Sequence, residues 1–257
     1  MRTRPAAKKD LGQHFLVDQN ILRVVGRLAE LDPRDVVLEV GPGGGVLTRY
    51  LAARVAHVHA VEIDTSLEPQ LRDVGANVTL HFGDALQLDL AALAPEAEKL
   101  VANLPYNIAT PLLVESLDGL LSVRLWCVMV QREVADRLFA APATKAYGAA
   151  SVLTQLVCER TGSHPVSRTA FRPRPNVDST LLAFVRVAFP DDFARVKQLV
   201  VAAFAHRRKT LPNSLALAGL APRAEVVEGL AALGRKPSTR AEVLAPQEFV
   251  ALAGALG

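Results

Sequence analysis

The chain has 257 residues, half of them apolar, with 29 Lys/Arg against 26 Asp/Glu and a formal charge of +3. This length supports one substantial domain and a small one, and the composition excludes a disordered or low-complexity chain. No apolar run is long enough to cross a bilayer, and Met1 to Phe15 lacks the apolar stretch of a secretory signal.

The two cysteines, Cys127 and Cys158, have no metal or redox spacing, suit a reducing cytosol and read as packing residues. Charge is distributed unevenly. Residues 1–34 hold seven basic against four acidic side chains, residues 191–257 hold nine against six, and the middle is net acidic. Basic ends around an acidic body fit phosphate-contacting arms and equally fit solvated helices.

In chain order, Lys8-Lys9-Asp10-Leu11-Gly12-Gln13-His14-Phe15-Leu16 precedes a helix that Asp18 caps and Pro33 ends. Val36–Val40 reads as a buried parallel strand. It enters Gly41-Pro42-Gly43-Gly44-Gly45, and Val46 opens a helix. Strand, glycine loop and helix make a nucleotide-binding turn. A dinucleotide fingerprint requires a third glycine where Val46 stands, so the loop favours a smaller nucleoside-like cofactor without a pyrophosphate.

A second strand over residues 58–64 ends in Glu62 and Asp64. Glu62 lies 21 residues after Gly41, the usual place for an acid that binds ribose hydroxyls, and Asp64 is positioned to cap the next helix. A third strand, Val78–Phe82, delivers Asp84, an acceptor for an adenine amine. A fourth, Lys99–Ala102, delivers Asn103-Leu104-Pro105-Tyr106: an amide that accepts from an exocyclic amine, and a ring that stacks on a flat base. Three consecutive strands therefore end in Glu62, Asp84 and Asn103 beside the glycine loop.

Beyond this convergence the pattern predicts a helix over 111–121, a buried strand over 125–130 and a helix over 131–138. Residues 142–151 read as a loop, and the period leaves 151–158 helical or extended. Phe171-Arg172-Pro173-Arg174-Pro175-Asn176-Val177-Asp178-Ser179 presents an aromatic among arginines, suited to base stacking and phosphate contact or to a buried loop anchor. A strand follows over 181–187. Pro190-Asp191-Asp192 marks a boundary between a domain over 1–190, with its basic arm 1–34, and an all-helical domain over 191–257. The latter carries Arg207-Arg208-Lys209 and breaks at Pro222, Pro237 and Pro246. The fold class expected is α/β with a small all-helical carboxyl-terminal domain.

Taken together, these strings resemble the ribosomal RNA adenine dimethyltransferases, a branch of the class I S-adenosylmethionine-dependent methyltransferases. The resemblance rests on Leu11–Leu16, Glu39–Gly45, Glu62–Asp64, Gly83–Ala85, Asn103–Tyr106, Phe171–Ser179 and Arg207–Leu211, in family order along nearly the whole chain. It implies a Rossmann-like methyltransferase sheet with helices on both faces.

It also implies S-adenosyl-L-methionine as cofactor, with no metal. The cofactor would be held by His14, Leu16, Gly41, Glu62, Asp84 and Asn103, in a loop shaped by Gly43 and Gly45. His14 departs from the asparagine of many members. The target adenine would be flipped between Tyr106 and Phe171, with Asn103 and the Leu104 carbonyl on its amine. Lys8, Lys9, Arg172, Arg174, Arg207, Arg208 and Lys209 would contact RNA.

The reaction implied is N6,N6-dimethylation of two adjacent adenosines near the 3′ end of 16S rRNA in the small ribosomal subunit, by a cytoplasmic monomer with a role in subunit biogenesis. Alternatives are a 23S rRNA adenine methyltransferase of the macrolide-resistance type and a non-catalytic rRNA-binding assembly factor.

Overall fold

The computed structural model describes Lys8, residues 12–206 and residues 208–257. Lys9 and Arg207, two of the expected RNA contacts, lie outside the described residues. Contacts divide the chain into two compact units, one extending to Ala135 and including Arg160–Arg186, the other comprising Asp136–Glu159 and Val187–Gly257.

In the first unit, β1 (Phe15–Leu16) leads into α1 (Gln19–Leu28), where the Asp18 carboxylate accepts the Asn20 N–H as N-cap. The helix stops at Leu28, ahead of Pro33, and Glu30 turns the chain at φ 48°. Then follow β2 (Val36–Val40), α2 (Val46–Ala52), β3 (His57–Glu62), α3 (Glu68–Leu71), β4 (Val78–Phe82), α4 (Leu90–Leu93), β5 (Lys99–Asn103), α5 (Ala109–Gly119) and β6 (Leu125–Gln131). In chain order after β6 come α6 (Arg132–Leu138), α7 (Ala149–Val157), which belongs to the second unit, then β7 (Cys158–Val166), β8 (Phe171–Arg172) and β9 (Ser179–Arg186).

Seven strands form one sheet in the order β4-β3-β2-β5-β6-β9-β7, while β1 and β8 pair separately. Strands β4 to β6 run parallel, and β9 returns antiparallel on β6. The central strands β2, β5 and β6 are short and largely apolar because both faces of the sheet are covered there. Neighbouring residues of β6 show this directly. Cys127 Sγ approaches the Val25 carbonyl of α1 at 3.9 Å, whereas Trp126 Nε1 donates to Ser116 Oγ of α5 at 2.9 Å. Successive side chains of a strand point to opposite faces, so α1 and α5 sandwich the sheet. The Trp126 ring stacks on Phe184 of β9 at 5.2 Å.

Winding changes direction between β2 and β5: β3 and β4 continue to one side of β2, β5 and β6 to the other. Such a switch leaves a crevice at the carboxyl ends of the two central strands. At the opposite end, Asp35 and Lys99 form a buried ion pair at 2.7 Å, and Asp35 Oδ2 also accepts the Asp32 N–H.

The second unit holds α7 with α8 (Phe193–Ala205), α9 (Leu211–Leu217), α10 (Arg223–Ala232) and α11 (Pro246–Ala255). Residues 136–159, read from the sequence with the sheet, group here with the carboxyl-terminal helices. Tyr147 is fully buried; its hydroxyl donates to the Leu244 carbonyl at 2.8 Å and its ring meets Phe204. Pro222 and Pro246 stand at the starts of α10 and α11, where a missing N–H costs no helical hydrogen bond. Among the described residues no helix is long and apolar enough to cross a membrane.

Candidate active site

The crevice at the β2/β5 switch is where the sequence-selected residues meet. Gly41 leaves β2 at φ 75°, and a Cβ there would lie 3.1 Å from Pro105 Cδ. Gly43 follows at φ 54°, where a Cβ would lie 3.0 Å from the Phe15 ring. Left-handed backbone and close packing together require glycine at both positions. Gly45 faces away from the crevice toward Val74 and Leu71 and supports the loop from behind. Arg49 clamps the loop: Nη1 donates to the Gly44 and Gly45 carbonyls and Nη2 to the Gln70 carbonyl, all at 2.9 Å.

Glu62 ends β3 with its carboxylate buried. Its Oε2 accepts the Gly43 N–H at 2.9 Å and its Oε1 accepts the Asp64 N–H at 3.0 Å. Burial pushes its pKa up, against those two backbone hydrogen bonds. Glu39, inside β2, is fully buried; burial is the leading cause that raises it to about 8, and its Oε2 has no hydrogen-bond partner. Asp64 is the opposite case. Burial pushes it up, but hydrogen bonds from Lys8, Ser66 and Gln13 outweigh that and hold it well below the usual carboxylate range. It also accepts the Ser66 N–H and so caps the turn after β3.

The segment Gly12–Leu16 lies across the crevice as a strap, tied at four places. Lys8 Nζ and Gln13 Nε2 reach Asp64 at 2.6 and 3.0 Å. Asn103 Nδ2 donates to the His14 carbonyl at 3.0 Å. The His14 ring Nδ1 meets the Pro173 carbonyl at 2.8 Å; a carbonyl only accepts, so Nδ1 carries the proton. Finally β1 pairs with β8, setting Leu16 opposite Phe171.

Two cavities share the wall made by Gly41, Glu62, Ile63 and Pro105. One is lined by the strap, Glu39, the glycine loop and Asn103–Tyr106; the other by Asp84, Ala85, Asn107 and Ile108. His14, Leu16, Gly41, Gly43, Glu62, Asn103, Leu104 and Tyr106 thus surround the first, and Asp84 the second. Asp84 Oδ1 also accepts the Leu86 N–H at 3.0 Å.

Tyr106 is half-buried 5.4 Å from the His14 ring, and its hydroxyl lies 2.7 Å from Ser179 Oγ. Phe171 is not on the cavity. It is fully buried in the core beside Leu16 and Ala170, under the strap. Arg172 and Arg174 are exposed on its loop, Lys8 is exposed apart from its Asp64 bond, and Arg208 and Lys209 are exposed after α8 in the second unit.

Sequence reasoning passed over Gln13, Arg49 and Ser179. Gln13 and Ser179 sat inside strings already singled out, but their hydrogen bonds span 51 and 73 residues and leave no local pattern.

The family model for ribosomal RNA adenine dimethylase matches residues 4–231. The chain is 50% identical to the Ribosomal RNA small subunit methyltransferase A of Rubrobacter xylanophilus over 96% of this chain and 94% of that one. It is 44% identical to the protein of the same name from Geobacter metallireducens, over 97% and 95%. Among solved structures it resembles a dimethyladenosine transferase from Plasmodium falciparum (TM-score 0.78, 24% identity, 93% and 96% covered) and the 23S rRNA methyltransferase ErmE (TM-score 0.66, 27% identity, 94% and 99% covered). The sheet is that of the class I methyltransferases, and the chain belongs to the ribosomal RNA adenine dimethylase family.

Proposed function

We propose that this chain transfers methyl groups from S-adenosyl-L-methionine to the N6 atoms of two adjacent adenosines near the 3′ end of 16S rRNA, within the small ribosomal subunit or its precursor. The observation that carries this reading is the Asn103 amide, oriented by the His14 carbonyl at the switch-point crevice beside Tyr106. The small-subunit substrate follows the names of the relatives at 44–50% identity; the 23S enzyme ErmE stands at 27%. A methyltransferase rather than a passive rRNA binder is favoured because acid, amide and aromatic are all retained in one crevice. A cytoplasmic monomer acting in subunit biogenesis completes the proposal.

The residues present suit the cofactor. Glu39 offers a buried oxygen without a partner at the crevice wall, and Glu62 sits between both cavities, placed to take ribose hydroxyls. Asp84 lines the second cavity and would accept an adenine amine, while His14, Leu16, Gly41 and Gly43, which line the first, would hold the remainder. When bound, S-adenosyl-L-methionine supplies a methyl group already activated on a positive sulfonium.

The protein's task is therefore position and dipoles. An adenine N6 is a weak nucleophile because its lone pair is delocalised into the ring. Asn103 Oδ1 and the Leu104 carbonyl would accept its two hydrogens, pull it toward tetrahedral geometry and aim the lone pair. Tyr106 would stack on the flipped base; Phe171, buried under the strap that holds Asn103 in place, offers it no second face in this arrangement. The displaced N6 proton passes to solvent.

The test is transfer of labelled methyl groups onto unmethylated small subunits, followed by digestion to nucleosides. Dimethyladenosine in the 16S rRNA is expected, and Asn103→Ala should abolish it while cofactor still binds. Label in 23S rRNA only, or near-normal turnover in Asn103→Ala, overturns the reading.

A further inference from the structure

We infer that Ser179 is a positioning residue for methyl transfer, holding the Tyr106 ring at the angle on which the acceptor adenine stacks. The inference rests on the role given to Tyr106 above. Tyr106 follows the end of β5, and Pro105 constrains only its backbone. Its ring remains free to turn about its own side-chain bonds unless something holds the far end.

The hydroxyl provides that hold, 2.7 Å from Ser179 Oγ. Ser179 is fully buried at the first position of β9, opposite Gln131 of β6, so the bond reaches across β6 from one strand end to another. The serine is itself fixed. Asp178, one residue earlier, accepts from Arg132 Nη2 at 3.2 Å and from the Arg168 N–H at 3.0 Å.

A tyrosine serving only as an apolar stacking face has no use for its hydroxyl at this place, since phenylalanine offers the same face. Here the hydroxyl is half-sheltered from water and partnered by a serine with no exposed surface. Burial raises the Tyr106 pKa, so at neutral pH the hydroxyl keeps its proton and the bond is available in either sense. The arrangement joins the Asn103–Tyr106 turn to the Phe171–Ser179 loop, and so fixes the stacking ring relative to the segment that bears Phe171.

The experiment is a double-mutant cycle on single-turnover methyl transfer to unmethylated small subunits, with Ser179→Ala, Tyr106→Phe and both together. Each single variant should slow transfer by about three- to tenfold, the scale of one neutral hydrogen bond, and the double variant should be no slower than the slower single. The dissociation constant for S-adenosyl-L-methionine should stay at the parent value in all three. Parent rates in Ser179→Ala, losses that multiply in the double variant, or a loss matched by weaker cofactor binding would overturn the inference. Should Ser179→Ala not fold, Tyr106→Phe probes the same bond from its exposed end, and a parent rate there is equally fatal. Asn103→Ala is run in parallel: turnover in that variant removes the underlying reading, whatever Ser179 does.

Discussion

The side-chain amide of Asn103 donates to the backbone carbonyl of His14 at 3.0 Å. That single bond determines which way the amide faces, because only its nitrogen can donate. Its oxygen is left as the group that meets an acceptor amine. The strap thus orients the proposed catalytic amide as well as covering the crevice, and the Nδ1–H of His14 anchors the strap in turn on Pro173.

Asn103→Asp tests this orientation. The carboxylate keeps the shape but has no N–H for the His14 carbonyl, and it sets negative charge against that oxygen. Methyl transfer is expected to fall on the order of 100-fold, the scale of losing one preorganised polar contact, with cofactor still bound. Single-turnover rates and calorimetric titration with S-adenosyl-L-methionine measure the two quantities. A rate within threefold of the parent, roughly 0.6 kcal/mol, would refute the role of the bond.

Glu62 joins the glycine loop to β3 through two backbone N–H groups, and both need an acceptor. Glu62→Gln turns an amide N–H toward one of them. Loss of one hydrogen bond to a charged group, about 1.5–3 kcal/mol, predicts a cofactor dissociation constant raised about 10- to 100-fold. At saturating cofactor the rate should recover, since the contact serves binding rather than the transfer step. Because burial raises the Glu62 pKa, cofactor affinity should also weaken on acidification earlier than for an exposed carboxylate.

Strands β2, β3, β5 and β6 were legible because each is a short, largely apolar run with most residues buried, while β4, half-buried at the sheet's other edge, was legible from its β-branched and aromatic residues. Strand β7 was not. Cys158–Val166 is mostly polar and lies at the sheet's edge, so its residues face water and carry no strand pattern. Helix α7 was ambiguous for the reverse reason: seven of its nine residues are buried, which erases the polar face that reveals a helical period. Phe171 marks the limit at the site. Its aromatic and arginine neighbours suggest an exposed stacking residue, but the pairing of Leu16 with Phe171 covers it, and a two-residue ladder between distant segments leaves no local trace. Arg49 escaped for a similar reason, as an arginine in an amphipathic helix gives no sign that it grips three carbonyls.

Glu39 makes stability depend on pH. Its pKa is 4.5 in the reference state and about 8 in the fold, with burial the leading cause. Between those values the folded chain holds a proton that the unfolded chain has released, so stability falls as pH rises through the window and the loss is complete above about 8. Without cofactor, the unfolding midpoint should drop between pH 5 and pH 8.5. Glu39→Gln, neutral throughout, should show a flatter profile. Parallel profiles for the two proteins would contradict the assignment.

The Asp35–Lys99 pair lies at the amino end of β5, away from the crevice, with Asp35 buried and Lys99 largely so. Removing one partner strands the other charge in the interior. Lys99→Met is therefore expected to cost about 3 kcal/mol of stability. Asp35→Asn with Lys99→Met together should recover much of that. Neither change touches the crevice, so cofactor affinity should stay at the parent value at temperatures where the variants are folded. Denaturant unfolding beside cofactor titration checks both expectations, and a crevice defect in folded Lys99→Met would show that the two ends of the sheet are coupled.

Arg49 offers the sharpest separation of charge from geometry. Three glycines in succession make the cofactor loop costly to order, and Arg49 offsets this by holding the Gly44, Gly45 and Gln70 carbonyls with two nitrogens of one planar group. Lysine keeps the positive charge but cannot fork toward carbonyls on two segments. Arg49→Lys should therefore behave much like Arg49→Ala, with cofactor affinity reduced about three- to tenfold in both, the cost of one to two hydrogen bonds. The saturated rate should be unchanged, because Arg49 touches the loop and not the acceptor. Were Arg49 acting through its charge alone, Arg49→Lys would bind cofactor like the parent and only Arg49→Ala would be weakened; calorimetric titration of the two variants distinguishes these outcomes.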